Sequence, residues 1–128
     1  MTTTIISFCA ALFALMGVLS FARPLDVVRQ FGVRELNADG RNEVFAVYGG
    51  FGLAMAGVLV IAVAVPVLRS GVTLALALAL GGMAFGRLVS PAVEGRIGRF
   101  PRLYLIIELI GSGLLSHAFL TDYARHAA

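Results

Sequence analysis

The sequence predicts an all-α integral membrane protein, a four-helix bundle with a short amphipathic interfacial helix in the connection between the first and second spans. Three observations carry that expectation. The first is composition: 59% of the residues are hydrophobic, only 13% are charged, and the mean hydropathy is +0.95. A soluble domain carries about 25% charged residues. So little polar material cannot cover a solvated surface, and most of the surface has to face lipid. The second is a set of four long apolar stretches, residues 5–22, 44–68, 72–89 and 103–120, each near the ~20 residues that cross a bilayer core. The third is length: 128 residues suffice for one compact unit and are too few for two. Residues 1–128 are therefore expected to form a single four-span domain.

The first span is expected over about residues 4–22. Its opening residues, Met1 to Ser7, contain no Lys or Arg, which favours a retained helix over a cleaved signal peptide. Cys9, the single cysteine, lies inside this run, so no intrachain disulfide and no thiol-pair redox chemistry is expected. The longest connection follows, residues 23–42. Its first part places Leu25, Val28 and Phe31 at helical spacing with Asp26, Arg29 and Gln30 between them, the pattern of a short helix lying in the membrane interface. Asn37, Asp39 and Gly40 then read as a turn, with Asp39 placed to cap the next helix. The second span is expected over about 41–68, with Pro66 close to its end, where a lost hydrogen bond costs little. A tight turn at Arg69, Ser70 and Gly71 leads to a third span over about 71–90. Residues 91–100 connect it to a fourth over about 101–122, and Pro101 suits the first turn of that helix.

The ten basic residues are all arginine, and the net charge is +3. Arg23, Arg29, Arg34, Arg41, Arg96, Arg99 and Arg102 lie on one side of the four-span arrangement, Arg69 and Arg125 on the other, and Arg87 inside the third run. The positive-inside rule then puts both long loops in the cytoplasm and both termini outside. Because the arginines sit between apolar runs, their partners are expected to be membrane lipids and not nucleic acid. Tryptophan is absent, so an interfacial belt rests on Tyr48, Tyr104, Tyr123 and phenylalanines.

Ionisable residues inside the apolar runs are the sharper signal, since a charge near the bilayer centre costs several kcal/mol and such groups normally turn inward and pair. Glu43 lies near the start of the second span, Arg87 near the end of the third, and Glu108 some seven residues into the fourth. All three fall near the same membrane face. Arg87 has the reach to meet Glu43 at its own level and Glu108 about one turn deeper, and Asn42, Ser90 and Glu94 are placed to complete a polar network. Each has a plainer reading: Glu43 is favoured by the helix dipole, and Arg87 has a stem long enough to reach the headgroups. Glu108 is too deep for that, and Tyr104, Ser112 and Ser116 continue its stripe at i−4, i+4 and i+8. A structural salt bridge, a ligand or proton site, and a contact with another subunit all remain open for it.

Small residues are the second signal, because they let helix backbones approach where lipid offers no hydrophobic drive for association. Gly49 and Gly50 in the second span, and Gly82 and Gly86 in a GxxxG arrangement in the third, are expected to pack helices together. Catalytic patterns are poor. His117 and His126 both lie away from the Glu43, Arg87 and Glu108 level, so no metal site is expected. The glycines lie inside helices and form no phosphate-binding loop. No catalytic residue and no cofactor is assigned, and an enzyme is the least favoured class.

The motif Asn42-Glu43-Val44 followed by Tyr48-Gly49-Gly50-Phe51-Gly52-Leu53 resembles one of a bacterial family of small four-span membrane proteins catalogued as a domain of unknown function. Gly81-Gly82-Met83-Ala84-Phe85-Gly86-Arg87-Leu88-Val89-Ser90, then Glu94-Gly95-Arg96, resembles its second motif, and Glu108 falls where that family carries an acid in its last helix. Glu94 stands where the family often has Asp. The resemblance spans nearly the whole chain and implies a four-helix fold in a bacterial inner membrane, without an activity. The architecture is also similar to that of DoxX-like four-helix proteins, an analogy of fold alone. The expected function is an accessory or scaffold subunit of a membrane complex or homo-oligomer, or a binder of a lipid-like molecule. The alternative is a small transporter or channel that uses Glu108 as a proton or cation site.

Overall fold

The structure is a computed structural model that describes residues 1–127, with side chains through Arg125. In chain order it contains α1 (Thr2–Ala22), α2 (Pro24–Arg29), α3 (Ala38–Glu43), a π-helical segment (Val44–Gly50), α4 (Phe51–Ala64), α5 (Pro66–Glu94) and α6 (Arg99–Ala127). No strand occurs among the described residues, and the fold is an all-α bundle. Four helical stretches are long and apolar enough to cross a membrane: Thr2–Ala22, Ala38–Ala64, Pro66–Glu94 and Arg99–Arg125. At 1.5 Å per residue the 29 residues of α5 extend about 43 Å. That exceeds a hydrocarbon core of about 30 Å, so its ends stand at the level of the headgroups.

Proline sets two of the breaks. Arg23 precedes Pro24 and Val65 precedes Pro66, and the residue before a proline is pushed out of the helical region. Arg23 has φ −141° and Val65 φ −120°, ψ 91°, and each proline then opens the next helix. This moves the second connection. The expected turn at Arg69, Ser70 and Gly71 does not exist: those residues lie inside α5, and the chain passes from α4 to α5 across Val65 alone. Pro66 marks a start, where its missing N–H is no loss. A second adjustment concerns the cap of α3, which is Asn37 and not Asp39; the Asn37 side chain accepts from the Gly40 N–H at 2.8 Å. At the far end of α5, Gly95 adopts φ 72° and donates to the Pro91 carbonyl at 2.8 Å, a left-handed helix stop that glycine adopts without cost.

The amphipathic reading of the first connection holds for α2. Val28 is buried, Asp26 and Arg29 are exposed, and their 3.6 Å ion pair is solvated and contributes little. Within the bundle, α5 pairs with α6 and α1 with α4. The core is made by Ile6, Cys9, Ala10, Leu59, Leu76, Ala77 and Leu115. These come from the beginning of α1, the end of α4, the beginning of α5 and the later part of α6, so all four long helices converge nearer the Val65 end.

The close approach between helices lies on the α1–α4 seam. A Cβ added at Gly17 would sit 2.9 Å from the Leu53 backbone nitrogen, and one added at Gly52 would sit 3.2 Å from the Gly17 Cα and nitrogen. Gly49 extends the seam, its added Cβ falling 2.7 Å from the Phe21 ring, which lies 5.2 Å from that of Phe45. The other three glycines expected to pack helices do not. Gly50 is exposed, with only the Phe45 carbonyl oxygen near it at 3.5 Å, and Gly82 and Gly86 are exposed with nothing within 4 Å of an added Cβ. Both lie open on the surface, so their small size gains no contact inside one copy of the chain.

Candidate functional site

The polar centre of the bundle is Arg87 on α5 and Glu108 on α6. The Arg87 Nε lies 2.8 Å from both carboxylate oxygens, and Nη2 lies 2.7 Å from Oε1. Glu108 is 4% exposed, nine residues into α6, roughly 14 Å along the axis. A carboxylate at that depth is tolerable only when its charge is matched and its lone pairs are filled, and the planar fork of arginine does both. The stripe on α6 explains why the acid faces α5: one turn on, the Ser112 hydroxyl donates to the Ala77 carbonyl of α5 at 2.8 Å.

One turn before the acid, Tyr104 ties the pair to the first connection. The Arg87 guanidinium carbon lies 5.3 Å from the centre of the Tyr104 ring, within cation–π range. The Tyr104 hydroxyl donates to the Gln30 Oε1 at 3.0 Å, and the Tyr104 and Phe31 rings are 5.6 Å apart. The residues just beyond α2 thus cover the tyrosine side of the pair.

The structure brings together two of the six residues expected in this network. Asn42, Glu43, Ser90 and Glu94 are exposed, and their side chains make no hydrogen bond or ion pair among the described residues. Glu43 ends α3 just before the π-helical segment, and its side chain is exposed. The His126 side chain lies outside the described residues.

Beside the pair is a half-open groove of about 370 Å³, bounded by Met83, Gly86, Arg87 and Ser90 of α5, by Arg96, Ile97 and Gly98 of the connection, and by Pro101 in the first turn of α6. Arg87 therefore borders both the buried acid and the groove. Pro91, four residues after it, has no N–H, which deprives the Arg87 carbonyl of its helical donor. A second groove, of about 290 Å³, runs between α1 and α4, is lined by Ser7, Ala10, Ala11, Ala14, Ala56, Val60 and Val63, and is almost wholly apolar.

A second ion pair closes the opposite end of the α5–α6 pair. Asp122, 2% exposed, accepts from Arg69 Nη1 at 3.5 Å and from the Ser70 hydroxyl at 3.4 Å. Arg69 also donates from Nε to the Ala62 carbonyl and from Nη2 to the Val63 carbonyl, each at 3.2 Å. Those carbonyls belong to the last turn of α4, where helical donors run out, so one side chain finishes α4 and pairs with α6. Sequence reasoning missed this pair by assigning Arg69 to a turn. The signal was present. Arg69 and Arg87 lie 18 residues apart, five turns at 3.6 residues per turn, on one face of α5. Glu108 and Asp122 lie 14 apart, close to four turns, on one face of α6.

No curated protein and no solved structure matches the chain. The sequence profile described as "Domain of unknown function (DUF4345)" matches residues 1–119, which takes in α1 through most of α6 and both motifs. The chain belongs to this DUF4345 family.

Proposed function

We propose that this protein is a non-catalytic membrane protein of the bacterial inner membrane that binds a lipid-like molecule at the Arg87 end of the bundle, alone or as an accessory or scaffold subunit of a larger complex. Both long connections are cytoplasmic and both termini are outside, on the strength of the seven-to-two distribution of arginines. The observation that carries the reading is the groove beside the Arg87–Glu108 pair. It joins an apolar flank, Met83, Ile97 and Pro101, to a polar one, Arg87, Ser90 and Arg96, at the end of two membrane-crossing helices. An amphiphile has those two characters in that order. The scaffold reading draws on the outward face of Gly82 and Gly86, which leaves room for another helix. The transporter reading is weaker, because both oxygens of Glu108 are already engaged by Arg87.

The test is Gly86→Leu. Nothing lies within 4 Å of a Cβ at Gly86, so the bundle accepts the side chain while the groove is filled. Protein extracted in mild detergent should carry a small amphiphile, identified by mass spectrometry. The variant should lose it with its melting temperature within about 2 °C of wild type, since open surface substitutions stay within about 0.5 kcal/mol. An unchanged bound molecule in the variant contradicts the groove, and loss of a protein partner in its place supports the scaffold reading.

A further inference from the structure

We propose that the groove at the Arg87 end selects the phosphate of an anionic phospholipid headgroup. The inference rests on the amphiphile reading above and adds the chemistry of the head. Arg87 spends Nε and Nη2 on Glu108, and its Nη1 has no hydrogen-bond partner among the described residues. A guanidinium fixed by a buried acid borders the groove with donors to spare. Its charge is already matched by Glu108, so the net charge of the site comes from Arg96, which is exposed and unpaired among the described residues. Arg99 and Arg102 follow on the same connection, and between residues 94 and 102 three arginines stand against one acid, Glu94.

The walls suit a headgroup as well as its charge. Gly86 of α5 and Gly98 of the connection line the groove without side chains, which lets a phosphate come close to backbone there. Ser90 offers a hydroxyl to a phosphate oxygen. Met83, 47% exposed and two turns before Ser90, lies on the side toward the middle of the span, where the first carbons of an acyl chain would run. A soluble phosphate has no use for that apolar flank. A choline headgroup would bring a cation against Arg96, and like charges are disfavoured.

The experiment uses the full chain in a neutral maltoside detergent. It is titrated with short-chain phosphatidylglycerol, short-chain phosphatidylcholine and inorganic phosphate, and binding is followed by native mass spectrometry. Phosphatidylglycerol should bind at least about fivefold more tightly than phosphatidylcholine, the effect of one arginine near a headgroup. Arg96→Gln should erase that preference by weakening phosphatidylglycerol binding at least about fivefold. Arg125→Gln, which removes an exposed arginine at the opposite end of α6, should leave it intact. Equal binding of the two lipids, or equal behaviour of the Arg96 and Arg125 variants, overturns the headgroup inference. If Gly86→Leu still abolishes binding in that case, the amphiphile reading survives; if it does not, both fail. Inorganic phosphate bound as tightly as phosphatidylglycerol makes this a free-anion site and overturns the lipid assignment.

Discussion

Arg87 and Glu108 show how one residue pair can be read from sequence and how its neighbours can be misread. An acid that deep in an apolar helix needs a cation, and Arg87 was the one cation inside a span on the adjoining helix, so depth and charge together selected it. Glu43 met the same test on level alone. It is exposed, because a shared level does not say which way a side chain points. The two acids therefore behave differently when the arginine is lost. Arg87→Leu leaves a buried carboxylate unmatched and should cost about 3–5 kcal/mol in denaturant stability. Arg87→Lys should fall between, since it keeps the charge and loses the fork. Adding Glu108→Gln to Arg87→Leu should recover part of the loss, whereas adding Glu43→Gln should recover none. A double-mutant cycle in one detergent reads both couplings. A coupling near zero for Arg87 and Glu108 would show that the pair is not held in the bundle.

At the scale of elements, hydropathy made the four spans legible and small residues misled. Composition says that close helix contacts need glycine, but it does not say which glycine faces which helix. The GxxxG of α5 drew attention as a motif, yet Gly82 and Gly86 face outward, while the contact is made by Gly17 and Gly52 on α1 and α4. Gly17 has no such pattern around it. The proline at 66 was likewise legible, but its meaning was reversed: the residue before it ends α4, and Arg69 then satisfies the carbonyls of that end. The seam can be tested directly. Gly52→Val sets a branched side chain against the Gly17 backbone, which cannot rotate away, and should cost about 1–3 kcal/mol. Gly82→Ala meets nothing and removes backbone freedom from the unfolded chain, so it should raise stability by about 0.4–1 kcal/mol. Thermal unfolding of both in the same detergent separates them, and equal destabilisation would restore Gly82 as a packing residue.

For the whole molecule, two buried ion pairs set the register of α5 against α6. Arg87–Glu108 and Arg69–Asp122 stand about 27 Å apart along α5, counted as 18 residues at 1.5 Å each, nearly the thickness of a hydrocarbon core. The two ion pairs thus lie toward the two ends of the long hairpin, with the apolar core between them. Four crossings give this arrangement its meaning, since a bundle lying flat would have no reason to separate its charges in this way. The direct test is two-sided cysteine labelling in a Cys9→Ala background. Val67, 83% exposed at the start of α5, reports one face; Ala38 and Glu94, both exposed, report the other. In intact inner-membrane cells an impermeant reagent should label Val67→Cys, and should reach Ala38→Cys and Glu94→Cys only after the membrane is opened. Labelling of all three from one side would contradict a four-span protein, and labelling of Ala38 and Glu94 but not Val67 in intact cells would reverse its orientation.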